Sequence, residues 1–94
     1  MKFEWDQNKN QINLQKHGIA FESVVPLFEG AVPFLIEYDD KEDYGEERWI
    51  GLGLLRNHVV VVIFTEPSTE TIRIISARKA DQNERRKYFN SFRN

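Results

Sequence analysis

"HVVVVIF", residues 58–64, decides how this chain folds. The apolar run from Val59 to Phe64 lacks the alternation of a strand with one wet face. It predicts a central strand covered on both sides. The run is far too short to span a bilayer. Arg56-Asn57, just before it, is the size of a two-residue hairpin loop. "ERWIGLGLL" (47–55) is therefore expected as an antiparallel neighbour. On the other side "TEPST" (65–69) reads as a short turn, followed by a strand at "ETIRIISA" (70–77). "PFLIEY" (33–38) supplies one more strand. Links this short favour antiparallel pairing, because a parallel crossover needs a dozen or more residues.

The ends supply the cover. "KFEW" alternates at Phe3 and Trp5 as a short strand does. Asp6 is an N-cap for a helix running to about His17, and Gly18 is its natural C′ residue. Lys9, Asn13 and Lys16 share one face of it. A second helix is expected from Phe21 to Phe28, limited by Pro26 and ended by Gly30. Asp81 and Glu84 have capping-box spacing and start a last helix. Its apolar stripe is Tyr88, Phe89 and Phe92, with Arg86, Asn90 and Arg93 on another side. The early helices should cover one face of the sheet, and the last helix or a partner chain the other. The expected order is β-α-α-β-β-β-β-α, an α+β fold with an antiparallel sheet in a single domain spanning residues 1–94.

With 94 residues and no cysteine, the chain has no disulfide framework, thiolate metal site or thiol nucleophile. A cytoplasmic location and no membrane partner are expected. Charge is divided unevenly along the net −2 chain. Residues 73–94 hold seven basic groups and two acidic ones, giving +5; the first 72 hold six and thirteen, giving −7. Much of the acid lies in "EYDDKEDYGEE", residues 37–47. A basic site for phosphates is the sharper reading of this split, and solvated surface the plainer one.

No metal or cofactor motif is present. His17 and His58, the two histidines, have no ligand at i+4. "GLG" (51–53) lies mid-strand with no helix behind it, so it is no phosphate loop. Its glycines mark a close approach or a bend. What remains is a polar set: Glu46, Glu47 and Arg48 at one strand start, and Arg73, Ser76 and Arg78 on the last strand. If that strand is regular, Arg73, Ile75 and Ala77 face one way and Ile74, Ser76 and Arg78 the other. Arg78 and Lys79 then stand at the last helix's N-terminus, where backbone N–H groups suit an anion. The plainer reading for Arg73 and Arg78 is a pair with a cross-strand carboxylate, Glu37 or Glu47, and for Arg48 a rim arginine beside the acidic loop. For His17 it is a helix C-cap cation, for Lys9 and Lys16 solvated surface, and for Trp5 and Trp49 the core.

Three stretches, "FEWDQNKNQINLQKHGIAFE", "GEERWIGLG" and "RIISARKADQNERRKYF", resemble the BrnT family of toxins from type II toxin–antitoxin pairs. They fall in the family's order and cover about half of the chain. The resemblance implies a RelE-like fold and metal-independent endoribonuclease activity, with no cofactor, that arrests translation. It implies a BrnA-like ribbon-helix-helix antitoxin, autorepression with operator DNA bound only through that antitoxin, and a homodimer within a heterotetramer. The family's polar positions fall on Lys9, Lys16, His17, Glu47, Arg48, Arg73, Arg78 and Glu84. In RNA cleavage by the 2′-OH, Arg73 and Arg78 would clamp the phosphate with Arg48 assisting. Glu47 or His17 would be the base. Lys9, Lys16, Lys79, Arg85 and Arg86 would bind the RNA. The competing reading is a non-enzymatic module, the corepressor half of a DNA-binding complex.

Overall fold

The computed structural model describes residues 1–41, 43 and 45–92. Glu42 and Tyr44 of the acidic stretch, and Arg93 with its expected place beside Arg86 and Asn90, lie outside the described residues. The elements are β1 (Lys2–Glu4), α1 (Gln7–His17), a 3₁₀ helix (Phe21–Glu29), β2 (Phe34–Asp39), β3 (Arg48–Leu55), β4 (His58–Ser68), β5 (Thr71–Lys79) and α2 (Gln82–Ser91). The Asp6 side chain accepts hydrogen bonds from the Asn8 and Lys9 N–H groups and so starts α1. Gly18 ends it in the left-handed region at φ 72°. The second helical segment is 3₁₀ rather than α. Pro26 within it has no N–H to donate, and the β-branched pair Val24-Val25 disfavours an α turn.

The five strands form one sheet in the order β1-β5-β4-β3-β2. The expected antiparallel sheet is in fact mixed, because β1 runs parallel to β5, with Lys2 opposite Thr71 and Glu4 opposite Arg73. Two helices and three strands separate the pair in sequence, ample chain for a parallel return. β4 and β5 extend further than the sequence predicts. "TEPST" continues β4 through Ser68, and the reversal falls at residues 69–70.

Both faces of β4 are covered. Val60, Val62 and Phe64 join Phe21, Val24, Leu27, Ile72, Ile74 and Ala77 under α1 and the 3₁₀ helix. Val59 and Val61 join Leu52 and Tyr88 on the α2 side. At roughly 2 kcal/mol for each fully buried valine or larger side chain, this strand is the largest apolar contributor to the fold. The glycines of β3 do mark a close approach. A Cβ on Gly51 would collide with the Phe34 ring, and one on Gly53 would press on Phe34 and Leu27.

Helix α1 buries its polar side. Asn10 and Asn13 are buried, whereas Ile12 and Leu14 are 61 % and 49 % exposed. Asn13 Nδ2 donates to the carbonyls of Ile19 and Ala77, and its Oδ1 accepts from the Ala77 N–H. Asn10 Oδ1 accepts from the Phe21 N–H, and its Nδ2 donates to Glu22. No described helix is long and apolar enough to cross a membrane.

Asn13→Ala is expected to leave buried backbone groups of β5 unpaired and to lower unfolding free energy by about 2–4 kcal/mol, read from urea denaturation. Gly51→Ala should cost about 1–3 kcal/mol by overpacking against Phe34. An unchanged midpoint for either variant would contradict these contacts.

Candidate active site

Strand β5 is not regular, and that changes its face assignment. Ser76 stands opposite Ile63, but Ile74 stands opposite Phe64, so Ile75 is an extra residue in the ladder. This β-bulge shifts the alternation by one. Arg78 lies opposite Val61, Ser76 opposite Ile63 and Arg73 opposite Thr65. Directly opposed residues share a face, and Val61 and Ile63 belong to the cluster under α2. Arg73, Ser76 and Arg78 therefore share the α2 face, where a regular strand would have parted the two arginines. They still stand five positions apart, about 15 Å along a strand.

The Arg73 row crosses the whole sheet. Glu4 on β1 is opposite Arg73, Arg73 is opposite Thr65, and Arg48 on β3 is opposite Asp39 on β2. Trp49 faces Phe64, so by continuation of that register Arg48 stands beside Thr65. With strands about 4.8 Å apart, the two arginines sit about 10 Å from each other, one on each side of the threonine. A cavity of about 490 Å³ opens at this end of the sheet. Glu46, Glu47, Trp49, Thr65, Glu66 and Arg73 are among its lining residues. Glu46 and Glu47, the end of the acidic stretch, also border a second cavity with Asp39, Asp40 and Asp43. The acidic loop lies at the sheet edge, between β2 and β3, and its last two residues turn into the arginine site.

Each arginine has a carboxylate. Two nitrogens of Arg73 reach Glu4 Oε2 at 2.6 Å. Arg48 reaches Glu46 at 3.4 Å. Arg78 makes a fork of two bonds to Glu84, at 2.8 and 2.9 Å. These partners differ from the expected Glu37 and Glu47; Glu37 instead holds Lys87 at 2.6 Å. Glu84 has a second task, since its Oε1 accepts from the Asp81 N–H while Asp81 accepts from the Glu84 N–H, closing the capping box. The hydrogen bond from Arg78 holds the Glu84 carboxyl below the usual carboxylate range, partly opposed by burial. The same bond raises the Arg78 guanidinium above its ordinary value. The α2 N-terminus, expected to greet a phosphate, thus already carries the protein's own carboxylates.

Of the sequence candidates, Glu47 and Arg73 line one cavity, and Arg48 is tied to it through its ion pair with Glu46. Arg78 shares their face but is turned to Glu84. Lys79 is opposite Val60 and so points to the other face, away from Arg78, which breaks up the expected Arg78–Lys79 pair. It lines a cavity with Gly18, Arg56 and His58 at the far end of β3, roughly 20 Å from Arg48 along an eight-residue strand. His17, next to Gly18, is therefore out of reach of a phosphate held by Arg73. Lys9 and Lys16 are exposed on α1. On α2, Arg85 lies over the Phe89 ring and Arg86 bonds Asn83. Sequence reasoning missed Glu4 as a partner and Thr65 altogether; nothing local in "FTEP" distinguishes a buried polar threonine from a turn residue.

A family model described as the ribonuclease toxin BrnT of type II toxin–antitoxin systems matches residues 5–84. The chain belongs to this family. It is also similar to the crystal structure of the ribonuclease toxin BrnT from Brucella abortus, with 28% identity and a TM-score of 0.66. That match covers 87% of this chain and 99% of the other. No curated protein sequence matches. The BrnT resemblance drawn from the three sequence stretches is thereby shown, and type II toxins act with an antitoxin.

Glu84→Gln should cost about 1 kcal/mol at neutral pH, because the amide can still cap α2 but no longer pairs with Arg78. The folded-state pKa of Glu84 is depressed, so its contribution is present above the unfolded value and lost as pH falls through the folded one. The stability gap between variant and wild type, followed by thermal melts, should begin to narrow as pH falls below the unfolded carboxylate value of about 4.3 and vanish below the lower folded one.

Proposed function

We propose that this BrnT toxin is a metal-independent endoribonuclease whose site is the Arg48–Arg73 end of the sheet. The carrying observation is the meeting of Glu47 and Arg73 around one cavity, with Arg48 joined to it through Glu46. A bound RNA would place its scissile phosphate between the two guanidinium groups. The 2′-oxygen attacks phosphorus and gives up its proton to Glu47. A 2′,3′-cyclic phosphate forms, the P–O5′ bond breaks, and the leaving oxygen takes a proton from solvent. Positioned acid–base groups contribute roughly 10²–10⁴-fold, and fixed cations aimed at the phosphorane contribute comparably. Glu47 is preferred to His17 as base because it borders the same cavity as Arg73. Arg78 joins the site as a second backbone clamp once released from Glu84, and Lys9, Lys16, Lys79, Arg85 and Arg86 hold flanking RNA.

In the cell this activity arrests translation and is neutralised by a BrnA-like ribbon-helix-helix antitoxin. The pair, a toxin homodimer within a heterotetramer, represses its own operon and touches operator DNA through the antitoxin. The toxin is taken as one RelE-like domain acting in the cytoplasm. The non-enzymatic reading draws support from one observation, that all three arginines are paired to carboxylates.

Purified protein incubated with RNA and excess EDTA separates the two readings. Cleavage with cyclic-phosphate termini is expected, and Arg73→Ala or Glu47→Gln should lower it at least 100-fold. Glu47 is exposed and the Arg73 side chain half exposed, and a surface ion pair is worth about 0–1 kcal/mol, so folding should survive. If Arg73→Ala and Arg78→Ala each cleave within a few-fold of wild type, the arginine assignment is wrong.

A further inference from the structure

Among the described residues, the buried side-chain polar atom without a hydrogen-bond partner is Thr65 Oγ1. Thr65 is 4 % exposed. An unpaired buried hydroxyl is a burden on the fold and is rare in native proteins. Valine would fill the same space without it. The hydroxyl therefore calls for a reason outside the stability of the free protein.

Its surroundings supply one. Thr65 borders the cavity shared by Arg73 and Glu47. It is opposite Arg73 and, by continuation of register, beside Arg48, so guanidinium-bearing residues flank it on both sides. The β4–β5 ladder slips on both sides of the Thr65–Arg73 pair, between Ile63 and Phe64 and again between Thr65 and Ser68. Bulges re-aim side chains and concentrate beside active sites.

We propose that Thr65 is a substrate ligand whose hydroxyl donates to a non-bridging oxygen of the phosphodiester held between Arg48 and Arg73. The proposal rests on the ribonuclease reading above. In the free protein the oxygen is closed to solvent and Arg73 is turned to Glu4. That pair is half exposed and weakly held. The substrate phosphate competes with Glu4 for the guanidinium, and drawing Arg73 inward brings the phosphate over the hydroxyl.

Thr65→Val and Thr65→Ser test this, with RNA cleavage and thermal unfolding measured on each full-length variant. The valine variant should lose at least tenfold in kcat/KM while melting at or above the wild-type temperature. The serine variant should recover most of the activity. Cleavage by Thr65→Val within twofold of wild type overturns the assignment. So does a lowered melting temperature with activity lost in both variants, which would mark the side chain as structural. A wild-type protein that cleaves no RNA defeats the ribonuclease reading and this proposal together. An active wild type with an equally active valine variant defeats this proposal alone.

Discussion

Beyond Arg73, strand β5 has no strand on its outer side, because β1 pairs only as far as Glu4. The side-chain amide of Asn13 fills the gap: it accepts from the Ala77 N–H, donates to the Ala77 carbonyl, and also donates to Ile19. One planar group thereby mimics a strand edge and ties α1, the turn after it and β5 together. Each buried backbone group left without it would cost about 1–3 kcal/mol. The second half of β5 carries Ser76 and Arg78 and leads into α2, so the placement of that helix depends on this contact.

The arginine site is assembled in a charge-compensated state. Glu4, Glu46 and Glu84 each hold a guanidinium, and all of these groups keep partial contact with solvent. Such pairs are worth about 0–1 kcal/mol apiece. They suffice to orient long side chains but are weak enough for a phosphate dianion or diester to replace. The acidic residues around these arginines therefore need not exclude a polyanion; in the free protein they hold the cations in place.

Local chemistry was the legible part of this fold. Asp6, Gly18, Asp81 and Glu84 set helix ends through bonds within a few residues, and each does in the structure what its type predicts. The unalternating valines correctly marked the central strand, and the β3 glycines a close approach. What could not be read depends on pairing between distant segments. The bulge at Ile75 follows from how β5 registers on β4, and it reversed the expected separation of Arg73 from Arg78. The parallel placement of β1 is likewise a tertiary outcome. So is the inward turn of α1's asparagines, since a helix with Ile12 and Leu14 outside defies amphipathic reading. Glu47, Arg48 and Arg73 were identifiable as candidates by type, but the cavity shared by Glu47 and Arg73, the link of Arg48 to it through Glu46, and the distance of His17 from them emerge only in three dimensions.

Glu84 imposes two filters on one position in the course of sequence drift. A glutamine there keeps the helix start but releases Arg78; an aspartate keeps the charge but shortens the reach to both the cap and the guanidinium. Homologous chains that retain Arg78 should thus retain Glu84 with it, whereas a chain that has given up Arg78 is free to cap the same helix with either Glu or Gln. The two positions form a single unit of inheritance, six residues apart in the sequence.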